Sequence, residues 1–451
     1  GKTNKKLFLF DEDYRIISEE TIRLKETADE DGFPCEDVHA LTGWVNDSLN
    51  RIIERKDTDV RAINFSAYGA SFVHIDNSGK PITHLYNYLK PYPRKLEEEF
   101  YDKYGGAVSF SRETASPLLG NLNSGLQLYL LKYEQPSVFE KISCSLHLPQ
   151  YLSMLVTGRN YSDITSIGCH TGLWNFSKNH YHRWVYEESI IGKLAGIFPC
   201  DQVMKVSRQN HPLLAGTGLH DSSAALIPYL SVFKEPFILL STGTWCISLN
   251  PFNQTPLTED ELAQDCLCYM EYRGKPIKAS RLFAGNEHEK QVKRLAVHFN
   301  VADDFYKSIK FSETAFAALS ATKTAAINKA PTAMVQQSAF SQRDLSVFAD
   351  SETAYHQLLA DIISQQVIST GLVLNGSPVK RIFVDGGFGN NPVYMNMLAN
   401  AFPQLEVSAA TVAQASAIGA ALAVHRYWNT KSLPADVVTL RLYPAAYSMK
   451  I

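Results

Sequence analysis

Residues 237–249 of the chain have the sequence FILLSTGTWCISL. Two apolar runs flank Thr242-Gly243-Thr244, a pattern typical of a β-hairpin with a glycine turn. The chain starts with a similar pattern, GKTNKKLFLFD at 1–11, in which a glycine turn leads into an apolar strand that ends at the Asp11/Asp13 turn. Turns of this kind can offer backbone N–H groups and hydroxyls to a phosphate. One such hairpin carries no functional meaning by itself, but two of them, about 240 residues apart, predict a duplicated domain with a nucleotide between the halves.

The composition argues against several classes of protein. The 451 residues include 43 Lys and Arg against 46 Asp and Glu, so there is no basic excess for a nucleic-acid backbone. We find no run of 18 apolar residues that would predict a membrane span, and residues 1–6 do not resemble a signal peptide. The seven cysteines are scattered without zinc or redox spacing, Cys266 and Cys268 being one residue apart, which indicates reduced thiols in a cytoplasmic protein.

The remaining patterns predict a mixed α/β chain. The predicted strands are 62–65, 71–75 and 381–384, and the predicted helices are 124–132, 149–156 and 415–423, the last rich in small residues. The loop DGGFG follows the strand at 381–384, and a helix is expected to begin near Asn391-Pro392. Because no low-complexity linker interrupts the sequence, two domains are predicted to join tightly near residues 228–236.

The stretch GTGLHDSSAA at 216–225 places the carboxylate of Asp221 just before a run of small residues that can start a helix. Small residues let a ligand approach the backbone closely. Phosphoryl transfer to an alcohol needs a base for the hydroxyl proton, clamps on the phosphates and magnesium. Asp221 could be that base, but the local sequence alone favours a helix-capping Asp.

Taken together and in order, the motifs resemble the FGGY family of carbohydrate kinases, nearest its rhamnulokinase and L-fuculokinase branch. The segment HDSSAA (220–225) is similar to the catalytic segment His-Asp-Thr-Ala-Ser-Ala, and STGTW (241–245) to the phosphate turn Ser-Ser-Gly-Thr-Trp. The segment VDGGFGNNP (384–392) resembles the adenosine motif Gly-Gly-Gly-x-x-Asn. YGASF (68–72) resembles a strand of the sugar pocket, and 151–158 resembles a helix that ends in Leu-Thr-Gly. The resemblance spans nearly the whole chain.

This resemblance implies an α/β fold in which two actin-like (RNase H-like) domains flank an inter-domain cleft. Residues 1–230 would form the sugar-binding domain and residues 231–451 the nucleotide-binding domain. The implied reaction is ATP-dependent phosphorylation of a sugar hydroxyl, on a ketose or a deoxyketose such as L-rhamnulose or L-fuculose, with Mg²⁺ accompanying the ATP. Neither nucleic acid nor a membrane is an expected partner. The expected location is cytoplasmic, and the protein could form a homodimer.

The resemblance also assigns site residues. Asp221 becomes the catalytic base. The sugar-binding residues carried over are Gly69, His220, Ser222 and, from a poorly matching signature, Asn286. The residues expected near ATP are Thr3, Asn4, Lys5, Gly243, Thr244, Gly386 and Gly387. The family's metal-binding Asp stands two positions before the glycine at which this sequence begins, so no residue is assigned to the metal.

Departures from the family pattern leave alternatives open. In YNYLK (86–90), Tyr88 replaces the Asp of the family's sugar-binding Trp/Tyr-x-Asp-x-Arg, which puts the identity of the sugar in question. Together with the unassigned metal residue, this permits a catalytically weak sugar- or nucleotide-binding protein on the same fold. A third interpretation, an actin-like ATPase or chaperone, would not need a carboxylate in the setting of Asp221. Asp221, Thr244 and Gly386-Gly387 favour the enzyme.

Overall fold

A computed structural model describes residues 4–320, 339–412 and 414–445 of the chain. The strands are β1 (Lys5–Phe10), β2 (Ile16–Ile22), β3 (Glu26–Ala28), β4 (Pro34–Glu36), β5 (Ala62–Ile63), β6 (Ser66–Ala67), β7 (Phe72–Ile75), β8 (Cys144–His147), β9 (Trp174–Asn175), β10 (His180–Tyr181), β11 (Met204–Arg208), β12 (His211–Ala215), β13 (Leu219–His220), β14 (Phe237–Thr242), β15 (Cys246–Asn250), β16 (Cys266–Met270), β17 (Pro276–Leu282), β18 (Arg381–Gly386), β19 (Glu406–Thr411) and β20 (Thr439–Tyr443). The helices are α1 (Val38–Ile53), α2 (Arg94–Lys103), α3 (Ala107–Thr114), α4 (Gly125–Glu134), α5 (Pro136–Lys141), α6 (Leu148–Thr157), α7 (Ile164–Ile167), α8 (Arg183–Glu187), α9 (Asp221–Val232), α10 (Glu259–Ala263), α11 (Ala284–Phe299), α12 (Glu313–Ser320), α13 (Ser351–Leu374), α14 (Pro392–Ala401), α15 (Ala415–Ala423) and α16 (His425–Trp428). The predicted mixed α/β class is confirmed.

Contacts within the chain divide it into two compact units. The first unit comprises Gly1–Val232 with Cys268–Pro276 and Ala413–Val437, and the second comprises Phe233–Leu267, Ile277–Val412 and Val438–Ile451. Neither unit is one continuous stretch, unlike the ranges 1–230 and 231–451 that the sequence predicts. The difference arises because two later segments pack with the first unit, one of them through helix α15 against helix α9.

The second unit is built on a mixed sheet with the strand order β16-β17-β15-β14-β18-β19-β20 among the described residues. Strand β14 pairs antiparallel with β15, which confirms the hairpin predicted at 237–249. It pairs in parallel with β18, with Thr242 opposite Gly386. The turn after β14 and the glycine loop after β18 therefore lie at the same end of the sheet.

Helix α13 is the longest helix of the described part of the second unit. By length and composition alone it could cross a membrane, but 61% of its most apolar window is buried inside the protein. It contacts α11, α14 and strand β15 of the same unit. These contacts are those of a core helix in an α/β layer.

The first unit has several short sheets with helix α6 packed against them. Strands β1 and β2 pair antiparallel around a turn in which the Tyr14 amide donates to the Asp11 carbonyl, as the sequence predicts. The glycine turn predicted at 1–3 lies outside the described residues. Strands β5 and β6 run parallel to β12 and β13, respectively. Helix α6 ends at Gly158, whose φ of +63° is readily adopted by glycine.

One predicted strand, 62–65, is interrupted in the structure. Only Ala62–Ile63 pairs, as β5, and the next strand, β6, begins after the predicted range at Ser66. Between the two strands, Asn64 directs its side chain to other segments. Its Oδ1 accepts from the Gly218 amide at 3.1 Å, and its Nδ2 donates to the Ala420 carbonyl at 2.7 Å. Asn64 thereby ties this strand to helix α15 and to the segment that precedes Asp221.

Helices α9 and α15 cross at very short range because the sequence supplies a glycine at the crossing. A Cβ built on Gly419 would lie 1.8 Å from the Ala224 carbonyl oxygen. The small-residue helix predicted at 415–423 has the bounds of α15 in the structure. Its close packing supports helix α9, which begins at Asp221.

We expect Gly419→Ala to destabilise the protein, because the new methyl group overlaps a backbone atom that cannot rotate away. Overpacking of this kind costs about 1–3 kcal/mol, and a backbone clash belongs at the upper end. Thermal unfolding measures the loss. The matched control is Gly43→Ala in the middle of helix α1, where a Cβ would meet nothing within 4 Å. It should be neutral or stabilise by about 0.4–1 kcal/mol, and equal melting temperatures for the two variants would contradict the packing argument.

Candidate active site

Asp221 occupies the carboxyl end of a strand, where ligands of α/β proteins commonly bind. It follows β13 directly and is the first residue of helix α9. Its Oδ1 accepts from the adjacent Ser222 amide at 2.8 Å. A capping side chain usually accepts from amides two or three residues further on. The side chain is 37% exposed, so the carboxylate is anchored at one oxygen and still accessible to a ligand.

His220 and Gly69 lie beside this carboxylate in the first unit. His220 is 3% exposed, and its Nε2 is 3.5 Å from Asp221 Oδ1. Burial lowers the pKa of His220, although Asp221 and Asp163 oppose the shift, so the ring is neutral at physiological pH. A Cβ on Gly69 would lie 2.9 Å from the imidazole Cδ2. The glycine therefore leaves room for the ring, and Gly69, His220, Asp221 and Ser222 form one group.

Sequence reasoning missed an aromatic residue that supports this group. Tyr269 stacks on the His220 ring with centroids 5.5 Å apart and planes 18° apart, and it is 2% exposed. It belongs to the segment Cys268–Pro276, which packs with the first unit although its neighbours in sequence belong to the second. The Ser223 hydroxyl holds this segment by donating to the Met270 carbonyl at 2.7 Å. No local motif marks Tyr269, because its partner lies about 50 residues away in the chain.

We expect Tyr269→Leu to raise the KM for the acceptor substrate about two- to tenfold, because the imidazole loses the ring that fixes its plane. Stacked aromatic pairs contribute about 0.5–1.5 kcal/mol beyond their buried area, which corresponds to at most about tenfold in affinity. Steady-state kinetics with the acceptor varied measure this effect. Tyr269→Phe keeps the stacked ring and should behave like the wild type. A large defect in the Phe variant would assign the role to the hydroxyl instead.

Three residues near the start of the chain, Thr3, Asn4 and Lys5, are predicted to lie near ATP. Thr3 lies outside the described residues, and Asn4 is exposed. Lys5 is 8% exposed and forms an ion pair with Glu36. Glu36 also accepts a hydrogen bond from the Tyr68 hydroxyl at 2.7 Å. The ammonium group of Lys5, predicted to lie near the phosphates, is thus held in a buried pair within the first unit.

Tyr88, which departs from the family pattern, lies beside Tyr68, near Glu36. Its ring meets that of Tyr68 edge to face, with centroids 5.7 Å apart. Burial raises the pKa of Tyr88, and the carboxylates of Asp221 and Glu36 add to the rise. Tyr88 therefore stays neutral and presents a ring and a hydroxyl where the family pattern has a charged carboxylate.

In the second unit, two exposed glycine turns lie side by side. Gly243 and Thr244 follow β14, and Gly386 and Gly387 follow the paired strand β18. The Thr242 hydroxyl donates to the Asp385 carbonyl at 2.6 Å and accepts from the Phe388 amide at 3.0 Å, which fixes the two turns to each other. A Cβ on Gly387 would meet nothing within 4 Å. Exposed turns and open space at a strand end suit the binding of a nucleotide.

Gly285 is a second residue that sequence reasoning missed. A Cβ on it would lie 1.8 Å from the Gly243 carbonyl oxygen. The next residue, Asn286, donates its backbone amide to the Thr244 carbonyl at 3.1 Å. Helix α11 therefore begins directly against the turn at 243–244. Asn286, predicted to bind the sugar, lies in the second unit beside this turn, whereas Gly69, His220 and Ser222 lie in the first.

Comparison with known proteins gives a consistent result along the chain. Residues 1–207 match the N-terminal domain of the FGGY family of carbohydrate kinases, and residues 234–432 match the C-terminal domain of carbohydrate kinase FGGY. A rhamnulokinase of Halalkalibacterium halodurans is 25% identical over 227 residues, which cover 47% of this chain and 46% of that protein. A rhamnulokinase of Bacteroides thetaiotaomicron is 24% identical over 226 residues, covering 47% and 44%. The matched part of the chain thus spans about half the length of these curated relatives.

Solved structures share the fold over nearly the whole chain. A carbohydrate kinase from Novosphingobium aromaticivorans superimposes with a TM-score of 0.78 at 21% identity, covering 100% of this chain and 96% of the other. A ligand-bound xylulose kinase from Lactobacillus acidophilus superimposes with a TM-score of 0.78 at 14% identity, and the match covers 98% of this chain and 92% of the other. Glycerol kinase of Plasmodium falciparum with ADP superimposes with a TM-score of 0.75 at 16% identity, and the match covers 99% of this chain and 92% of the other. These structures confirm the predicted two-domain α/β fold. Because both family domains match in order, the chain belongs to the FGGY family of carbohydrate kinases.

Proposed function

We propose that this protein transfers the γ-phosphate of ATP to a hydroxyl of a sugar, a ketose or a deoxyketose such as L-rhamnulose or L-fuculose. The observation that carries the proposal is Asp221, an accessible carboxylate at a strand end beside the neutral imidazole of His220. The rhamnulokinase relatives favour a deoxyketose. The structurally similar xylulose and glycerol kinases act on other acceptors, so the sugar itself must be found by experiment.

In the proposed reaction, each group of residues has one task. Asp221 accepts the proton of the sugar hydroxyl as its oxygen bonds to the γ-phosphorus, and ADP leaves. His220 and Ser222 orient the sugar by hydrogen bonds, and Gly69 leaves the space they need. The turn at Gly243-Thr244 holds phosphate, and Gly386-Gly387 leave space for adenosine. Mg²⁺ would arrive with the phosphates, whose charge it neutralises, and we assign no protein ligand to it.

The proposed division of labour follows from these tasks. Residues 1–230 would supply most of the sugar site and residues 231–451 most of the nucleotide site. Asn286 would act at the phosphate turn, where its backbone already bonds to Thr244. A cytoplasmic location and a homodimer remain parts of the proposal that need separate tests.

A catalytically weak binding protein is the second candidate, and two observations favour it. Tyr88 replaces a sugar-binding carboxylate of the family, and the ammonium of Lys5 is engaged by Glu36 rather than held at a phosphate turn. Such a protein would bind sugar and ATP with little turnover. The two candidates share a fold, so only measurement of turnover separates them.

The deciding experiment is a screen of ADP release across ketoses, deoxyketoses and polyols, with binding of each compound measured by calorimetry. The proposed kinase predicts sugar-dependent ADP release with at least one acceptor, and identification of a phosphorylated product. Binding of sugar and ATP without product would favour the second candidate. ADP release at the same rate with and without sugar would instead favour an ATPase.

A further inference from the structure

A cluster of sulfur and nitrogen ligands lies in the first unit beside the proposed sugar site. Cys169, His170 and His220 each present one ligand atom, and these atoms lie within 4.8 Å of one another. All three side chains are buried, at 1%, 6% and 3% exposure. Cys169 and His170 are adjacent in the chain, whereas His220 arrives from strand β13. The fold therefore brings together ligands that no sequence motif joins.

We propose that Cys169, His170 and His220 bind a divalent cation of the Zn²⁺ type, with Asp221 completing the coordination. One thiolate and two imidazoles suit Zn²⁺, whereas Mg²⁺ requires oxygen ligands. The carboxylate of Asp221 is in position as a fourth ligand, because its Oδ1 lies 3.5 Å from His220 Nε2. Thiolate, imidazole and carboxylate groups are all ligands that Zn²⁺ takes, and four of them complete its tetrahedral coordination.

The hydrogen bonds around the cluster favour metal binding. His170 Nδ1 lies 3.0 Å from the Leu122 carbonyl, so a neutral ring that donates this bond carries its lone pair on Nε2. Metal-binding imidazoles are usually oriented in this way.

Local charge also favours a cation. The Cys169 thiol donates to the Ser166 carbonyl at 3.1 Å, and the Asp221 carboxylate lies 3.5 Å from the His220 ring nitrogen Nε2. A divalent cation would take the place of the thiol proton and offset the charge of this carboxylate.

The geometry allows a site that closes when it is filled. Zinc bonds of about 2.0–2.3 Å place tetrahedral ligands about 3.5 Å apart, so the cluster must contract by about 1 Å. Rotation of Cys169 away from Ser166 supplies part of this movement. The neighbouring Gly69 carries no Cβ, which would otherwise lie 3.4 Å from Cys169 Sγ.

A cation at this position would also inhibit the enzyme, a consequence that rests on the proposed function. The metal would occupy the His220 ring and neutralise the Asp221 carboxylate, so neither could serve the sugar. We expect Zn²⁺ to inhibit competitively with the sugar and not with ATP.

The binding test uses the whole protein after treatment with a chelator, titrated with Co²⁺ as a spectroscopic probe. We expect a thiolate-to-cobalt charge-transfer band with tetrahedral d–d bands, both abolished by Zn²⁺. Cys169→Ser should remove the charge-transfer band and weaken Zn²⁺ binding at least tenfold. Cys144→Ser, which changes another buried cysteine of the first unit, is the matched control. It should keep the charge-transfer band and the wild-type affinity for Zn²⁺. Absence of the band in the wild type, or its survival in Cys169→Ser, would overturn the proposal.

A second variant guards against misfolding of Cys169→Ser. His170→Gln keeps the thiol and should also weaken Zn²⁺ binding at least tenfold, and circular dichroism checks that each variant is folded. Wild-type affinity in a folded His170→Gln variant would overturn the three-ligand site. The cobalt spectra need no sugar kinase activity, so an inactive protein that shows the bands would refute the proposed function and leave the metal site standing. An active kinase unaffected by bound Zn²⁺ would refute only the inhibition.

Discussion

Asp221→Asn should lower kcat by about 10²–10⁴, the usual value of a positioned general base, while the sugar still binds. The change keeps the shape of the side chain and removes its basicity. In the structure, one carboxylate oxygen accepts from the Ser222 amide, a bond that the amide oxygen of Asn can also accept. Calorimetric titration with the sugar and steady-state kinetics on the same preparation measure the two quantities.

The same variant separates catalysis from helix capping. Asn caps a helix about as well as Asp, so a residue that only capped helix α9 would leave both melting temperature and turnover near the wild type. Asp350→Asn is the matched control, because Asp350 caps helix α13 by accepting from the Thr353 amide at 2.8 Å. It should change neither quantity appreciably. Normal turnover in Asp221→Asn would remove the central residue from the proposed mechanism.

Gly386→Ala should damage both the stability of the second unit and its affinity for ATP. Gly386 has φ +91° and ψ −153°, a conformation that is essentially restricted to glycine. A Cβ there would also lie 1.9 Å from the Thr242 carbonyl oxygen, in the strand that leads to the turn at Gly243-Thr244. Backbone strain and overlap together should cost about 3 kcal/mol or more. In a domain of roughly this size that corresponds to a fall in melting temperature of about 2–4 °C per kcal/mol.

The adjacent glycine supplies the control. Gly387→Ala places its methyl group in open space, so the stability should stay near that of the wild type. A bulky residue such as Leu at 387 should instead raise the KM for ATP far more than the KM for sugar, because it would fill the space proposed for adenosine. An unchanged KM for ATP in a folded Gly387→Leu variant would count against a nucleotide at this turn, and equal stability of the two Ala variants would contradict the strain at Gly386.

Much of the fold was predictable because its elements are encoded locally. The hairpin at 237–249 consists of two apolar runs around a glycine turn, and β14 and β15 form there. Helices α4, α6 and α15 occur where periodicity and small residues predict them. Asn391 was recognisable as a helix start, and its side chain caps α14 by accepting from the Val393 and Tyr394 amides. These patterns depend on neighbours within a few residues, so the sequence alone specifies them.

The surroundings of the candidate site could not be predicted in this way, because they depend on residues far apart in the chain. Tyr269 reaches His220 only because Cys268–Pro276 packs with the first unit. Lys5 follows a turn that looks suited to phosphate, yet tertiary packing pairs it with Glu36.

The family, the two-unit α/β plan and the candidate Asp221 could be read from the chain alone, since they follow from short motifs in a fixed order. The surroundings of Asp221, by contrast, came from folding: the neutral His220, the stacked Tyr269, and the cysteine and histidine brought beside them. Burial and electrostatic environment, which set the protonation of His220, are properties of packed neighbours and not of any local stretch of sequence.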